Sequence, residues 1–152
     1  MHAYAADLRW ERGDQPFTDD RYARRHQWAF DGGVIVPASA SPQVVPEPLA
    51  DPSCVDPEEA FVAALSSCHM LWFLHLAAER GYVIDRYEDQ PVGYMDPSEE
   101  PMWMKRVTLR PKITFVESDP DTRTVRAIHD AAHERCFLAN SVRSEIRIQP
   151  QL

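Results

Sequence analysis

The hydrophobic pattern of the chain is dominated by one long helical stretch at residues 56–81, whose middle is apolar at almost every position. Asp56 can accept the backbone N–H groups of a first helical turn, and Pro57 suits the first helical position because its missing N–H needs no partner there. Gly81 suits the left-handed residue that ends many helices. A helix that is apolar all round is expected to be covered on most of its sides.

Three strands are predicted before this helix, at residues 4–10, 22–30 and 34–36. Residues 31–33, Asp-Gly-Gly, supply the positive φ values that a tight hairpin between the second and third strands requires. Six prolines follow between residues 37 and 57, so this segment is expected to be a fixed coil without helix or central strand.

Three further strand-like stretches follow the helix, at residues 82–94, 106–115 and 142–148. The second has the cleanest alternation of apolar and polar residues, which is typical of a strand with one wet face. Pro111 interrupts that stretch and indicates a bulge or an edge position.

A second helix is predicted to open at residues 119–121, Asp-Pro-Asp, and to end near Asn140. Its inward stripe is expected to contain Val125, Ile128, Ala132 and Cys136. The order of strands, long helix, strands, helix and strand indicates an α+β fold, with two main helices on one face of a mostly antiparallel sheet.

Length and charge limit the classes of function. The chain of 152 residues is the size of one domain, taken here as 1–152, and its formal charge of −8 disfavours nucleic-acid and anionic-membrane partners. The first residues show no secretory pattern, and the apolar run 70–78 is interrupted by His75 and too short for a bilayer. Three cysteines then suggest reduced thiols in a cytoplasmic protein.

Two of the cysteines form the first candidate site. Cys68 lies in the middle of the long helix and Cys136 at the end of the second, so packing of the two helices could bring the sulfurs together. Such a pair supports peroxide reduction through a sulfenic acid and then a disulfide. The alternative is that both are ordinary buried cysteines. Cys54 has no partner by this reasoning.

A metal site is the second candidate. His129 and His133 share one face of the second helix and Cys136 follows, a set that zinc could use. A further ligand would come from Cys68, His69 or His75. The alternative is a solvated pair of histidines.

The third candidate is an arginine, Arg24 or Arg25, held by Glu58. A nearby positive charge lowers the pKa of a reactive thiol, and a carboxylate can orient the guanidinium through a bidentate pair. The alternative is that both arginines lie on a wet strand face.

Residues 56–68, Asp-Pro-Glu-Glu-Ala-Phe-Val-Ala-Ala-Leu-Ser-Ser-Cys, resemble the Pro-Glu and Ala-Ala-Cys signature of the OsmC/Ohr family, the osmotically inducible and organic hydroperoxide resistance proteins. Residues 132–142 resemble the second cysteine motif of the same family. The resemblance covers nearly the whole chain, although Phe137 stands where many members have proline and the segment 37–54 is long.

The resemblance implies an OsmC-like fold in an interlocked homodimer, and a thiol peroxidase that reduces organic hydroperoxides to alcohols. The alternative is a non-catalytic protein on the same scaffold that binds a small molecule or a metal. Cys68 would be the peroxidatic thiol and Cys136 the resolving one, with Glu58 and Arg24, or failing that Arg25, as their polar partners. The family implies a dithiol or lipoylated-protein reductant and no metal or bound cofactor.

Two expectations accompany this reading. An apolar wall beside Cys68 would favour alkyl hydroperoxides; it is expected to consist of Phe61, Leu65, Met70, Trp72 and Phe73. Glu58 and Cys68 are ten residues apart, about 15 Å along a straight helix. They can share a site only if the helix starts after Pro57, if it bends, or if one of the two residues acts across the dimer interface.

Overall fold

The computed structural model describes residues 1–117 and 120–152. These residues form two compact units, Met1–Ala60 and Phe61–Leu152. The architecture is α+β, with two main helices and mostly antiparallel sheets, as the sequence pattern predicted. The expectation of one domain over 1–152 stays a prediction.

The first unit contains an antiparallel sheet in which strand β2 is central. The strands are β1 (Ala6–Arg9), β2 (His26–Phe30) and β3 (Ile35–Ala38). Gly33 has φ +82° in the turn between β2 and β3, which confirms the predicted hairpin. Strand β2 begins later than expected, because the backbone N–H of Arg24 donates to Leu49 and not to a neighbouring strand.

The proline-rich segment is a fixed coil, apart from its first two residues, which belong to β3. A bridge between Ala38 and Val55 closes it, and the Ser39 hydroxyl accepts the N–H of Asp51. The side chains it buries are small, among them Ala50 at 2 % exposure. Backbone hydrogen bonds and small buried residues therefore hold this segment in place.

Helix α1 (Pro57–Glu79) begins and ends as the sequence predicts. The Asp56 carboxylate accepts the N–H of Glu59 at 2.7 Å, and the Glu59 carboxylate accepts the N–H of Asp56 at 2.9 Å. This reciprocal pair satisfies two backbone donors at the start of the helix. Gly81 has φ +79° just beyond the last turn.

The sides of α1 are less covered than expected. One stripe of α1 is buried, but only 33 % of the most apolar 18-residue stretch of the helix is buried within this chain. Leu71 is 60 % exposed. By length and composition, the whole of α1 is long and apolar enough to cross a membrane, whereas the run 70–78 within it is too short. The central helix of a globular fold has the same length and composition.

The second unit contains two small sheets. Strands β4 (Val83–Glu88) and β7 (Lys112–Val116) pair antiparallel in one. In the other, β6 (Met104–Leu109) lies between antiparallel β5 (Val92–Met95) and parallel β8 (Glu145–Ile148).

Two predicted strands are each divided. Residues 82–94 form β4 and β5, separated at Asp89, and residues 106–115 form β6 and β7, separated at Pro111. Asp89 explains both breaks: its carboxylate accepts the backbone N–H of Arg110 at 2.6 Å and the hydroxyl of Ser66 at 2.5 Å. The expectation of a bulge or edge at Pro111 was therefore wrong, because the chain changes sheet there.

Helix α2 (Thr122–Arg135) is capped by Asp121, whose side chain accepts the N–H of Thr124. Asp119, predicted to take part in the opening, lies outside the described residues. The helix ends at Cys136, earlier than the expected stop at Asn140, whose side-chain amide instead donates to the carbonyls of Glu134 and Cys136. A short 3₁₀ turn, Ala139–Ser141, follows.

Two apolar clusters hold the second unit together. The first joins α1 to α2 through Phe73, Leu76, Ala77, Val125, Ile128 and Ala132. The second joins α1 to the β5–β6–β8 sheet through Val62, Leu65, Val107 and Leu109. Along α1, the residues of the second cluster come before Cys68 and those of the first cluster come after it.

Candidate functional site

Cys68 opens into a cavity of about 350 Å³ between α1 and the segment after α2. It is lined by Cys68, Leu71, Trp72, His75 and Phe137. The residues from α1 follow Cys68 by three, four and seven positions, which places them on one helical face. The cavity is therefore an apolar, partly aromatic site with a thiol in its wall.

The aromatic part of the wall is fixed by edge contacts. The rings of Trp72 and Phe137 meet at 5.4 Å in a T-shaped arrangement, and the guanidinium of Arg135 lies 5.8 Å from the Trp72 ring centre. Phe137 is nevertheless 68 % exposed. The residue that departs from the family pattern thus forms one side of the cavity mouth.

The wall differs from the one expected. Of the five residues predicted to form it, only Trp72 lines the cavity. Leu65 and Phe73 are buried in the two core clusters, with Phe61 packed against the second. The expected set was wrong because its residues were chosen by their closeness to Cys68 along the chain, and not by whether they share its face of the helix.

Cys136 lies next to Cys68, at the C-terminal cap of α2. It is 1 % exposed, and burial, with the hydrogen bond to Cys68 second, raises the pKa of its thiol to about 11. The backbone N–H of Ala139 also donates to its sulfur at 3.4 Å. Cys68 is half-buried, and both thiols are free. The structure thus brings together a thiol facing a cavity and a second, protonated thiol behind it.

Arg24 lies in the first unit and is held by local contacts. Its guanidinium donates to the carboxylate of Asp20 at 2.8 Å and to the backbone carbonyls of Asp20 and Tyr22, and it stacks on the Tyr22 ring at 3.7 Å. It lines an aromatic cavity of about 440 Å³ that also includes Trp10 and Phe17. Arg24 is therefore oriented on its own unit, beside apolar surface.

Arg25 and Glu58 have different surroundings. Arg25 is exposed and pairs with Asp51 at 2.8 Å. Glu58 stands in the first turn of α1, and its Oε2 is buried without a hydrogen-bond partner among the described residues. The helix begins at Pro57, so the expected late start is not realised. The roles of Arg24 and Glu58 stay predictions.

The histidines of α2 are not the solvated pair that was the alternative to a metal site. His129 is 2 % exposed and shares a hydrogen bond of 3.0 Å with buried His69 of α1, while His133 is half-buried. The reason is that His129 falls on the inward stripe beside Ile128. Within residues 1–117 and 120–152, no three His, Cys, Asp or Glu side chains converge to hold a metal ion.

Cys54 lies in the first unit and is 8 % exposed. Burial, followed by a hydrogen bond with Asp51, raises the pKa of its thiol. These surroundings suit a structural thiol.

The sequence agrees with one family over most of its length. The sequence model of the OsmC-like protein family matches residues 50–151. The chain belongs to the OsmC family. The matched range contains helices α1 and α2, strands β4–β8, and the thiols of Cys68 and Cys136. No curated protein matches the chain.

Solved structures agree with this assignment. An OsmC-like protein of unknown function from Vibrio cholerae is 45 % identical, with a TM-score of 0.95 and coverage of 99 % of this chain and 100 % of that one. The organic hydroperoxide resistance protein OhrB of Bacillus subtilis is 20 % identical, with a TM-score of 0.66 over 99 % and 98 % of the two chains. An organic hydroperoxide resistance protein from Elizabethkingia anophelis is 14 % identical, with a TM-score of 0.71 over 99 % and 94 %.

Sequence reasoning missed several residues of the site. Leu71 and His75 could have been found, because they share the helical face of Cys68. The hydrogen-bonded pair of His69 and His129 could not, because no pattern within one helix reveals a contact with another.

Proposed function

We propose that this OsmC-family protein is a cysteine-based peroxidase that reduces organic hydroperoxides to alcohols. The observation that carries the proposal is the contact between Cys68 and Cys136 at the wall of the apolar cavity. One thiol faces the space that a substrate would occupy, and the other is placed to react with it afterwards.

The chemistry takes two steps. The Cys68 thiolate attacks the outer oxygen of the hydroperoxide, the O–O bond breaks, and the alkoxide takes up the proton that Cys68 released, giving an alcohol and a sulfenic acid. The Cys136 sulfur then attacks the Cys68 sulfenic acid. The new S–S bond forms as the S–O bond breaks, and the Cys136 proton leaves with the hydroxyl as water. A dithiol reductant, free or on a lipoylated protein, returns the disulfide to two thiols.

The cavity favours hydroperoxides with an apolar group. Leu71, Trp72 and Phe137 offer apolar and aromatic surface beside the thiol, and burial of apolar area stabilises a bound alkyl or aryl group by about 25 cal/mol per Å². Hydrogen peroxide cannot use that surface. We expect cumene hydroperoxide to be reduced faster than hydrogen peroxide, and the reverse order would contradict this assignment.

Arg24 and Glu58 complete the proposal as the polar groups that stabilise the thiolate. A guanidinium lowers the pKa of a neighbouring thiol without titrating itself. The unpartnered, buried Oε2 of Glu58 can accept a guanidinium. Comparison of Arg24→Lys with Arg25→Lys tests the choice: only the first should slow peroxide reduction, and equal effects would remove Arg24 from its assigned role.

We further propose that the protein acts in the cytoplasm as a homodimer. The exposed apolar residues of α1, such as Leu71, and exposed Val34 and Ile35 of the β2–β3 hairpin are surface that a second copy could cover. Light scattering at micromolar concentration tests the assembly. A strictly monomeric protein would contradict it.

The first test of the activity is a count of free thiols, with intact mass, after one equivalent of cumene hydroperoxide. The wild type should lose two thiols and gain a Cys68–Cys136 bond, while Cys136→Ser should hold a sulfenic acid at Cys68 that dimedone traps. Cys54→Ser is the matched control and should behave as the wild type. Survival of all three thiols would make the proposed activity wrong.

A further inference from the structure

Two buried imidazoles lie between the helices that carry the two thiols. His69 is 1 % and His129 2 % exposed, and Nε2 of His69 lies 3.0 Å from Nδ1 of His129. Their rings are parallel to within 7°. This hydrogen bond joins a side chain of α1 to a side chain within α2, whereas the one between Cys68 and Cys136 lies at the C-terminal cap of α2.

Much of the rest of this helix contact is apolar. Phe73 and Leu76 of α1 pack against Val125 and Ile128 of α2. Apolar burial is proportional to area and has no direction, so it tolerates a small sliding of one helix along the other. A hydrogen bond requires a separation near 3 Å and a near-linear geometry, so it does not. The histidine pair therefore fixes the register of α1 against α2.

That register also sets the separation of the sulfurs. His69 directly follows Cys68 on α1, and Cys136 caps α2 two turns after His129. Any slide of α2 that breaks the imidazole contact moves Cys136 along Cys68. A disulfide needs an S–S distance of about 2.05 Å and Cα atoms about 4.4–6.8 Å apart, so its formation depends on the register. The attack of Cys68 on a hydroperoxide does not involve the Cys136 sulfur, so it does not depend on this register.

We propose that His69 and His129 are positioning residues for the resolving step, in which Cys136 attacks the Cys68 sulfenic acid. This inference rests on the proposed peroxidase function. Their hydrogen bond sets the helix register in which the Cys136 sulfur reaches the Cys68 sulfur. The S–S bond then forms before a second hydroperoxide oxidises the sulfenic acid to a sulfinic acid.

The pair is neutral in the working protein. Burial, with the neighbouring His133 second, lowers the pKa of His69 to about 4, and burial, with His69 second, lowers that of His129 to about 3. Two neutral imidazoles share one N–H between their facing nitrogens. An amide pair can reproduce that contact, because the amide of glutamine falls near Nε2 of histidine and that of asparagine near Nδ1, and either amide can turn so that its oxygen accepts an N–H of the other.

The test compares two double variants under single-turnover conditions with cumene hydroperoxide. His69→Leu/His129→Leu replaces both partners by apolar groups and leaves no unpaired nitrogen. His69→Gln/His129→Asn keeps a hydrogen bond. Quenched samples give the rate of sulfenic acid formation from dimedone trapping and the rate of disulfide formation from intact mass.

The leucine variant should form the sulfenic acid within about twofold of the wild-type rate but the disulfide at least about tenfold more slowly, since a misplacement near 1 Å costs up to about 10²-fold. Excess hydroperoxide should then drive it to the sulfinic acid. The amide variant should form the disulfide within about threefold of the wild type. A loss of stability alone would slow both steps or neither.

Three results would overturn the inference. Disulfide formation at the wild-type rate in the leucine variant, or equally slow formation in both variants, removes the hydrogen bond from the mechanism while the peroxidase function stands. Failure of wild-type Cys68 to form a sulfenic acid removes the function and the inference together. If the leucine double variant does not fold, His69→Leu and His69→Gln provide the same comparison, and equal resolving rates overturn it.

Discussion

The thiols in the two units of this protein have different surroundings. In Met1–Ala60, Cys54 lies beside the carboxylate of Asp51, and that unit contains no second cysteine. In Phe61–Leu152, Cys68 and Cys136 are neighbours, and Cys68 opens into an apolar cavity. Both environments raise the pKa of a buried thiol, but only the second supplies a partner and a space for a substrate. Burial alone therefore does not mark a redox cysteine.

The units also differ in what holds them. The first uses backbone hydrogen bonds, capped turns and half-exposed rings such as Phe17, which is 49 % exposed. The second uses two apolar clusters, with Phe73 fully buried. We expect substitution of a buried apolar side chain to lower stability more in the second unit, and substitution of a thiol to lower activity only there.

The largest expected effect is on activity. Cys68→Ser should lower the rate of organic hydroperoxide reduction by about 10³-fold or more, because it removes the nucleophile, whereas Cys54→Ser should leave the rate within about twofold. Steady-state peroxide consumption with a dithiol reductant measures both. A large loss in Cys54→Ser would show that the two thiol environments are not functionally distinct.

The next effect is on stability. Phe73→Ala should lower the free energy of unfolding by about 3–5 kcal/mol, since it removes a large side chain from the contact between α1 and α2. Phe17→Ala should cost about 1 kcal/mol, because half of that ring is already in water. Urea unfolding followed by circular dichroism gives both values, and equal costs would contradict the division between the units.

The pH dependence of stability sharpens the comparison. The unfolded chain protonates its histidines near pH 6.5, but burial keeps His69 neutral down to about pH 4. The unfolded state thus binds more protons in this range, so stability is full above about pH 6.5 and falls as the pH drops towards 4. His69 alone contributes a loss of about 2 kcal/mol between pH 7.5 and pH 5.

Urea midpoints at these two pH values measure that loss. The control is His69→Leu/His129→Leu, which removes both buried imidazoles and should show a clearly smaller decrease. The fall should be retained in Cys54→Ser, whose substitution lies in the other unit. An identical pH dependence in the leucine variant would mean that the pair does not titrate as its burial requires.

Much of the second unit was predictable because its elements carry periodic apolar residues. The caps of α1 and the inward stripe of α2 follow from positions that one helix defines by itself. The pairing of Cys68 with Cys136 requires two helices to pack together, and it was left open by the residues alone and implied by the family resemblance. The divided strands were not predictable, since the break at Pro111 depends on the Asp89 carboxylate, a contact across 21 residues.

The polar parts of the site were the least predictable. The sequence predicts a surface position for His129, but in the structure His129 faces His69. It predicts a strand position for Arg24, but in the structure Arg24 lies outside β2 and contacts Asp20 and Tyr22. Each depends on a contact between particular side chains, and hydrophobic periodicity carries no information about such contacts.

The smallest effect expected is at the junction of the two units in the sequence, where α1 begins. Asp56→Ala removes the acceptor of the Glu59 N–H and should lower the free energy of unfolding by about 1 kcal/mol. Asp56→Asn keeps an acceptor oxygen and should restore most of that loss. Because neither change touches a thiol or the cavity, the rates of sulfenic acid and disulfide formation should stay within about twofold of the wild type. A larger kinetic effect would mean that the Asp56 cap itself contributes to the chemistry, in addition to the role proposed for Glu58.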